Sequence, residues 1–337
     1  MTHADIEAVR HVLAGRCPRQ YGVRPTPFHR LDRFSATVGR EIWIKRDDLI
    51  SIGLGGNKVR KLSYLVADAL AAGADHLVTV GATQSNHARS VAAVAAMEGL
   101  GCDLVLGGAS DSRVAGNLLL DHLLGAVVHF PGTDDWHVLE RRSRDVADEL
   151  RAAGRRPYVM PVGGSTAVGA LGFVDAMFEL VDQFDAVGLE PSAIVHATSS
   201  GGTQAGLNVG AAIVGRGIRV VGVGVAKTAR SLEREISALA IDTAQLAGVG
   251  SVTLPEARVL GGYLGSAYGL PTAGSNAALR TLLRTEGVLV DPVYTAKALH
   301  AVIDASAAEL GDGPVVFWHT GGVPAVYACH LSEFESN

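Results

Sequence analysis

The chain has 337 residues, which at roughly 150 residues per domain suggests two domains. Hydrophobic residues make up 48% of it and charged residues 19%, so the chain has the apolar side chains for a large core and is not a disordered protein. It has 29 lysines and arginines and 34 aspartates and glutamates, which give a net charge of −5. With no basic stripe, no nucleic-acid partner is expected.

Targeting and metal-binding signals are not found in the sequence. No apolar stretch approaches the roughly 20 residues of a membrane span, and the N-terminal segment has acidic residues and no apolar signal region, so neither membrane insertion nor secretion is expected. Cys17, Cys102 and Cys329 form no CxxC pair, and this favours a reducing cytoplasm over a disulfide framework. The twelve histidines form no HExxH pattern, so no metal site is expected.

Short β-branched runs alternate along the chain with segments in which apolar residues recur every three or four positions. The predicted strands are residues 42–45, 76–80, 102–106, 126–129, 157–162, 193–197, 219–225 and 314–318. The predicted helices include residues 58–72, 88–99, 138–153, 167–184 and 204–214. This alternation predicts an α/β fold with mainly parallel strands and helices on both faces. Residues 48–160, with four strand–helix units, are expected to form a smaller domain, and residues 1–47 and 161–337 a larger one.

Five loops after predicted strands or beside them are rich in glycine and small polar residues. They are residues 53–58 (GLGGNK), 81–87 (GATQSNH), 163–166 (GGST), 198–206 (TSSGGTQAG) and 319–322 (HTGG). Ligands bind beyond the carboxyl ends of the strands in open parallel sheets, where such loops converge. The five loops together therefore predict a large polar cavity lined by backbone.

The loop 198–206 opens a predicted helix, so its glycines can turn backbone N–H groups toward an anion. Ser200 and Thr203 add hydroxyl donors, which suits a phosphate site. A turn needed only for close strand–helix packing explains the same pattern equally well. The chain has neither a Walker loop nor a GxGxxG after a strand, so dinucleotide binding is disfavoured.

Lys58 ends the loop GLGGNK and begins a predicted helix. The positive end of the helix dipole, with Arg60 and Lys61 nearby in sequence, is expected to lower the pKa of its amine. Schiff-base chemistry requires such an amine, because only the neutral form attacks a carbonyl. On these residues alone, an ordinary solvated lysine in the first helical turn remains the simpler alternative.

Two further groups of side chains have both a functional and a structural explanation. Ser85, Asn86 and His87 precede a helix and could bind a carboxylate, although Ser85 or Asn86 could equally serve as the helix N-cap. Tyr268 and Tyr294 lie beside glycine or proline in loops, and each could be an acid–base phenol or a half-buried packing residue.

Seven segments in one order from about Pro25 to Tyr327 resemble the D-cysteine desulfhydrase/1-aminocyclopropane-1-carboxylate deaminase family. They are IWIKRDD, GGNKVRKLSYLVADAL, GATQSNHARSVAAVAA, PYVMPVGGS, SSGGTQAG, EGVLVDPVYTAKALH and PVVFWHTGGVPA. The resemblance implies two three-layer open-sheet domains of the tryptophan-synthase-β type (fold type II), with pyridoxal phosphate in the cleft between them. It also implies a homodimer.

The resemblance implies a role for each matching residue. Lys58 would carry the cofactor and move the α-proton of an amino-acid substrate. The remaining cofactor contacts would be Lys61, Ser200, Gly201, Gly202 and Thr203 at the phosphate, Asn86 at the phenolic oxygen, and Thr320 and Thr295 near the pyridine nitrogen. The substrate carboxylate would bind Ser85, Asn86 and His87, and Tyr268 and Tyr294 would flank the substrate side chain. The catalytic residues would be Lys58, Ser85, Tyr268 and Tyr294.

Thr295 follows the tyrosine of DPVY, where the deaminase branch of the family has glutamate. A carboxylate there keeps the pyridine nitrogen protonated and makes the ring a strong electron sink, whereas a hydroxyl leaves a weaker one. Opening a cyclopropane needs the stronger sink, but expelling a thiolate does not. Thr295, together with His87 in place of the deaminases' glutamine, therefore favours β-elimination.

The expected activity is β-elimination from D-cysteine, or a related β-substituted amino acid, to pyruvate, ammonia and sulfide. Ring opening of 1-aminocyclopropane-1-carboxylate to 2-oxobutyrate and desulfonation of L-cysteate are alternatives, and a non-catalytic binding protein is a more remote one. Residues 107–116 (GGASDSRVAG) and Trp318, which stands where a smaller aliphatic residue is expected, are unusual for desulfhydrases. Either one could reshape the pocket to suit another β-substituted alanine, such as L-cysteate.

Overall fold

The computed structural model describes residues 3–110 and 113–335. Its strands are β1 (Phe28–Arg30), β2 (Ile42–Arg46), β3 (His76–Gly81), β4 (Gly101–Leu106), β5 (Val127–His129), β6 (Pro157–Met160), β7 (Ala193–Thr198), β8 (Arg219–Gly224), β9 (Arg258–Leu260) and β10 (Val315–His319). Its helices are α1 (His3–Gly15), α2 (Asp32–Val38), α3 (Lys58–Ala71), α4 (Asn86–Glu98), α5 (Gly116–Leu123), α6 (Trp136–Ala152), α7 (Ala167–Val187), α8 (Gly202–Val214), α9 (Ala229–Leu246), α10 (Ala273–Glu286), α11 (Thr295–Asp304), α12 (Ala307–Leu310) and α13 (Ser332–Glu335).

All eight predicted strands are confirmed, with small shifts at their ends. The largest shift is in β6, which ends at Met160 rather than at residue 162 because a short 3₁₀ helix, Val162–Gly164, begins after Pro161. Proline has no N–H to continue a strand ladder. The predictions missed β1 and β9, which have three residues each.

The smaller sheet has the order β5-β4-β3-β6, and all its pairs are parallel. One face packs on α3 and α4, where Leu77 and Leu104 join a buried apolar cluster. The opposite face packs on α6, where Val78 and Val105 contact a second cluster. This sheet is therefore the centre of three layers, as predicted.

The larger sheet has the order β1-β2-β10-β7-β8-β9 and is parallel except for the antiparallel pair of β1 and β2. Helices α7, α8 and α9 cover one face and α10 and α11 the other. Every residue of β7 and of β10 is buried, as the central strands of a sheet covered on both faces must be. The sheet topology thus has two separate open sheets.

Helices α7 and α8 pack closely beneath the larger sheet because glycines line their contact. A Cβ at Gly206 would lie 2.2 Å from the Ala170 carbonyl oxygen, and one at Gly210 would lie 2.5 Å from Cβ of Met177. Any larger side chain at these positions would push the two helices apart. The close contact fixes the start of α8, where the loop 198–206 ends.

A buried ion-pair cluster joins α3 to the larger sheet. The Arg60 guanidinium donates hydrogen bonds of 2.8 Å to both carboxylate oxygens of Asp47 and one of 3.0 Å to Glu179, which also pairs with Lys45 at 2.5 Å. Trp318 donates its indole N–H to Asp47 at 2.9 Å. The expectation that Trp318 reshapes a pocket is wrong, because its ring is fully buried in this cluster.

The strands of the smaller sheet all lie between residues 76 and 160. The division into domains at residues 47/48 and 160/161 stays a prediction. Among the described helices, none has both the length and the apolar character to cross a membrane. In the same residues, no group of three or more metal-binding side chains is found.

Candidate active site

A cavity of about 470 Å³ lies at the carboxyl ends of strands from both sheets. All five glycine-rich loops contribute to its wall, so their predicted convergence is confirmed. The lining residues are Asn57, Lys58, Gly81, Ala82, Ser85, Asn86, His87, Trp136, His137, Glu140, Val162, Gly163, Ala197, Thr198, Ser199, Ser200, Gly201, Thr203, Ala226, Lys227, Tyr268, Tyr294, Thr320 and Gly321. Most of the wall is therefore loop backbone and small polar side chains.

Lys58 is the first residue of α3, and its Nζ donates a hydrogen bond of 3.2 Å to Oδ1 of Asn57. Burial first, and then the positive charge of Arg89, lowers the pKa of the Lys58 amine to about 8. The predicted direction is correct, but Arg60 is not the cause, because its charge is neutralised by Asp47 and Glu179. A measurable fraction of Lys58 is thus uncharged near neutral pH.

Lys61, one helical turn after Lys58, does not line the cavity but lies directly behind its wall. Its Nζ donates hydrogen bonds of 3.0 Å to the Gly163 carbonyl and to the Ser165 hydroxyl. The side chain is buried, and burial followed by the charge of Lys58 holds the pKa of Lys61 well below its ordinary value. An anion bound beside this amine would favour its charged form, so its position suits an anion site.

The start of α8 lies beside this amine. A Cβ at Gly202 would lie 2.7 Å from Oγ of Ser165 and 2.8 Å from Nζ of Lys61. Ser200 accepts a hydrogen bond of 2.8 Å from Ser165. Gly201, the N-cap of α8, has a φ of +80°, and the Gly202 N–H donates a hydrogen bond of 3.2 Å to Oγ of Ser165. The start of α8 and the Lys61 amine therefore meet at Ser165, in a space that only glycine leaves open.

Ser85, Asn86 and His87 line the opposite part of the cavity at the start of α4. Ser85 is the N-cap and accepts a hydrogen bond of 3.1 Å from the Ala88 N–H, while Oδ1 of Asn86 accepts one of 2.9 Å from Asn117. His87 is buried, and neither ring nitrogen has a partner among the described residues. Burial, with the charges of Lys58 and Lys61, holds the pKa of His87 well below its ordinary value, so the ring is neutral.

Tyr268 and Tyr294 meet across the cavity. Their hydroxyls are hydrogen-bonded to each other, and their rings form an edge contact with centroids 6.1 Å apart. Burial raises the pKa of both phenols, that of Tyr294 well above its ordinary value. At neutral pH the pair therefore holds both phenolic protons and shares one of them in a hydrogen bond.

Thr320 lines the cavity, but Thr295 does not. Thr295 is buried, and its hydroxyl donates a hydrogen bond of 2.6 Å to Oδ1 of Asp291. The structure thus brings together most of the predicted site residues around the wall of one cavity. It leaves Lys61, Gly202 and Thr295 just behind that wall.

Sequence reasoning missed three residues that hold the site in place. Asn57 accepts from Lys58 and donates a hydrogen bond of 2.9 Å to Thr203, joining two loops of the cavity. Ser165 joins Lys61 to Ser200, and Asp291 accepts the N–H groups of Val293 and Tyr294 at 2.9 Å. Asn57 and Asp291 stand inside the motifs GGNK and DPVY, so the motifs themselves were the available signal.

The outer rim of the cavity is formed by Trp136, His137 and Glu140 at the start of α6 and by Lys227 after β8. None of these four was singled out from the sequence, because the first turn of α6 resembles any exposed amphipathic helix. Within the unusual segment 107–116, Asp111 and Ser112 lie outside the described residues. A Cβ at Gly107 would contact Asp134 rather than the cavity.

Comparison with known proteins adds independent findings. A family model described as "pyridoxal-phosphate dependent enzyme" matches residues 19–321. The chain is 41% identical over 314 residues to a D-cysteine desulfhydrase of Salmonella typhi, covering 91% of this chain and 94% of the relative. It is 42% identical over 316 residues to a D-cysteine desulfhydrase of Serratia proteamaculans, covering 90% and 93%.

The fold of this chain is also similar to those of solved structures. The crystal structure of an ACC deaminase homologue superposes with a TM-score of 0.89 at 36% identity, covering 95% of this chain and 96% of that one. A fungal L-serine ammonia-lyase from Rhizomucor miehei superposes with a TM-score of 0.68 at 16% identity, covering 94% and 99%, which bears on the fold alone. These likenesses confirm the predicted fold class of two open α/β sheets of the tryptophan-synthase-β type.

Proposed function

This chain belongs to the family of pyridoxal-phosphate-dependent enzymes, and on that premise we propose that it is a carbon–sulfur lyase acting on D-cysteine. The reaction takes up one water and yields pyruvate, ammonia and hydrogen sulfide. The observation that carries the proposal is the half-buried Lys58, whose amine has a pKa of about 8 and lines a cavity with Lys61 and the start of α8 at its wall. The D-cysteine desulfhydrases of Salmonella typhi and Serratia proteamaculans support the choice of substrate.

The site fits pyridoxal phosphate on two structural grounds. The Lys61 amine is buried against neutral partners, so an adjacent anion would stabilise its charged form. Beside it, Gly202 leaves open the space that a Cβ would fill, and the start of α8 supplies N–H donors. We assign the phosphate to Lys61, Ser200, Gly201, Gly202 and Thr203, and the aldehyde carbon to Lys58.

The other cofactor contacts follow from the positions along the cavity. Asn86 on one side would meet the phenolic oxygen, and Thr320 on the other would approach the pyridine nitrogen. Thr295 does not line the cavity, so it would affect the pyridine ring only indirectly, through residues of the cavity wall. When bound, the cofactor supplies an electron sink for the electron pair left at the substrate α-carbon.

The chain's own residues bind and orient the substrate. Ser85, Asn86 and His87 at the start of α4 would bind its carboxylate, with the neutral His87 as a hydrogen-bond donor. Lys58, once its amine is free, would take the α-proton, because a pKa of about 8 makes it an effective base near neutral pH. The hydrogen-bonded Tyr268–Tyr294 pair would donate a proton to the departing sulfur.

The absence of a carboxylate at position 295 supports β-elimination over ring opening. A thiolate leaves easily, so the weaker electron sink of an unprotonated pyridine suffices. Ring opening of 1-aminocyclopropane-1-carboxylate is the second candidate, since the ACC deaminase homologue shares the fold at 36% identity. Elimination of sulfite from L-cysteate would use the same groups.

A panel of substrates tests the proposal directly. Purified enzyme is incubated with D-cysteine, L-cysteine, L-cysteate, β-chloro-D-alanine and 1-aminocyclopropane-1-carboxylate, and pyruvate, 2-oxobutyrate and sulfide are measured separately. We expect pyruvate and sulfide in equal amounts from D-cysteine, with the highest kcat/KM of the panel. Preferential release of 2-oxobutyrate would support the deaminase instead. No product from any compound, with the cofactor bound, would support a non-catalytic binding protein.

We further propose that the enzyme is a cytoplasmic homodimer. Cys17, Cys102 and Cys329 are free thiols, which suits a reducing compartment. The dimer rests on the resemblance to the family. Cell fractionation and light scattering of the purified protein test the two statements independently of the assay.

A further inference from the structure

Two arginines lie near Lys58, and they differ in how their charges are neutralised. Arg60, two residues along α3, is paired with Asp47 at 2.8 Å and with Glu179 at 2.9 Å. Arg89, on the first turn of α4, is fully buried and forms no ion pair within residues 3–110 and 113–335. Its charge therefore acts on its surroundings with little screening.

Arg89 contacts the loop that carries Lys58. Its Nη2 donates a hydrogen bond of 3.2 Å to the Gly55 carbonyl. A Cβ at Gly53 would lie 2.7 Å from the Ala93 methyl and 3.8 Å from Nη1 of Arg89, so the loop packs directly on this part of α4. The loop continues through Gly56 and Asn57 to Lys58, and its position is thus tied to the guanidinium.

A buried carboxyl group on α5, that of Asp121, interacts electrostatically with Arg89 but forms no hydrogen bond with it. Nε and Nη1 have no hydrogen-bond partner among the described residues, and the same holds for both carboxylate oxygens of Asp121 on α5. Burial lowers the pKa of Arg89 to about 10, so the guanidinium stays charged at neutral pH. Burial raises the pKa of Asp121 to about 7, so its opposing charge is incomplete there.

We propose that Arg89 is a positioning residue that holds the loop before Lys58 through Gly55 and, by its uncompensated charge, keeps the Lys58 amine ready to react with the cofactor aldehyde. The inference rests on the proposed role of Lys58. It adds a second role to α4: the helix start would bind the substrate carboxylate, and its first turn would activate the lysine. Arg89 itself touches neither substrate nor cofactor.

The other charged or titratable groups around Lys58 and Arg89 come from each packed element. They are Lys61 on α3, His87 on α4, Asp121 on α5, His196 on β7, whose pKa burial lowers to about 4, and Tyr268 and Tyr294 across the cavity. Lys61 is held behind the wall by neutral partners, and His87 is neutral. Arg89 is therefore the charged group that acts on Lys58, and the Asp121 carboxyl opposes the charge of Arg89.

The test measures how fast added pyridoxal phosphate is captured by full-length enzyme that has been stripped of its cofactor. The capture rate, followed by visible absorbance, rises with pH as Lys58 loses its proton. In Arg89→Met we expect the midpoint of this rise to move up by about one pH unit, because a positive charge is lost near the amine. In Arg89→Lys the charge remains, so the midpoint should stay near that of the wild type.

Two further variants separate electrostatics from simple disturbance of the fold. Ser90→Ala removes a neutral side chain that bonds only within α4, and it should leave the midpoint unchanged. Asp121→Asn removes the negative charge that opposes Arg89, so the midpoint should move down. If Arg89→Met fails to fold, the result for Asp121→Asn decides whether the charge of Arg89 acts on Lys58. An unchanged midpoint in Arg89→Met, or the lack of a downward shift in Asp121→Asn, would overturn the proposal.

Failure of the proposed function gives a different result. If Lys58→Ala captures the cofactor at the wild-type rate, Lys58 is not the cofactor lysine and both statements fall. If Lys58→Ala captures none while Arg89→Met behaves as wild type, only the role of Arg89 is wrong. The identity of the substrate does not enter either measurement.

Discussion

The Thr295 hydroxyl and the Asp291 carboxylate form a buried pair, with hydrogen bonds of 2.6 Å from the hydroxyl and 2.9 Å from the Thr295 N–H to the same Oδ1. Asp291 also accepts the Tyr294 N–H at 2.9 Å, so the pair fixes the residue that faces Tyr268. Residue 295 thereby influences the site from behind its wall, through Asp291 and Tyr294.

Thr295→Glu is expected to change both stability and reaction. A second carboxylate beside Asp291 is repelled in a buried site, so Tm should fall. If the new carboxylate reaches the pyridine nitrogen, the ratio of 2-oxobutyrate to pyruvate formed from equal concentrations of 1-aminocyclopropane-1-carboxylate and D-cysteine should rise. Thr295→Ser, which keeps the hydroxyl, is the control. A folded Thr295→Glu variant with the wild-type ratio would show that this residue does not select the reaction.

Lys58→Ala should abolish the visible absorbance of the lysine-bound cofactor and turnover together. No other side chain lining the described cavity combines an amine with a pKa of about 8 and a position at the start of α3. Spectra and product assays of the same preparation measure both effects. Lys227→Ala, which removes the exposed lysine at the rim, should retain the spectrum, and full turnover by Lys58→Ala would contradict the assignment.

Gly202→Ala should weaken pyridoxal phosphate binding by about tenfold or more. The added methyl would lie 2.7 Å from Ser165 and 2.8 Å from the Lys61 ammonium, in the space assigned to the phosphate. Overpacking of this kind costs about 1–3 kcal/mol, and 1.4 kcal/mol is roughly tenfold in affinity. Titration of stripped enzyme gives the Kd. Gly15→Ala, where a Cβ meets nothing within 4 Å, is the matched control and should bind normally.

Glu179→Gln should alter the dependence of stability on pH. The hydrogen bonds and charges of Arg60 and Lys45 outweigh burial and lower the pKa of Glu179 from 4.5 to about 2. The stability that this carboxylate contributes is therefore complete above about pH 4.5 and is lost as the pH falls toward about 2. Glu179→Gln should be less stable at pH 7 by about 3 kcal/mol, since Lys45 loses its buried partner.

Urea unfolding at pH 7, at about pH 4.5 and at about pH 3 measures this effect. The wild type should lose stability between the two lower values, and Glu179→Gln should lose less over the same interval. The exposed Glu190, 3.8 Å from Arg216, provides the control, because Glu190→Gln should follow the wild type. Identical pH profiles for Glu179→Gln and wild type would contradict the role of the cluster.

The strands could be predicted because they are buried on both faces and so appear as unbroken β-branched runs. β7, with all six residues buried, is the clearest case. Strands β1 and β9 could not be predicted, because each has only three residues and forms at a sheet edge through its pairing with β2 or β8. That the strands form two sheets also follows from which strands pair, and periodicity does not reveal this.

The loops of the site could be predicted from their glycines and their places after strands, and the resemblance to a family supplied roles. The contacts between these loops could not be predicted from the sequence. Asn57 and Thr203 are 146 positions apart, and Lys61 and Ser165 are 104 apart, so no local pattern pairs them. Likewise, the low pKa of Lys58 was expected from the helix dipole and Arg60, whereas burial and Arg89 cause it.

The position of β10 between β2 and β7 places the last strand of the chain in the middle of the larger sheet. During synthesis, β2 and β7 have no neighbour to join them until residues 315–319 have left the ribosome. Until then β2 can pair only with β1, and β7 only with β8, so one edge of each strand stays unpaired, whereas the smaller sheet is complete by residue 160. A chaperone that shields apolar strands would be needed most after residue 160 and before residues 315–319 have been synthesised.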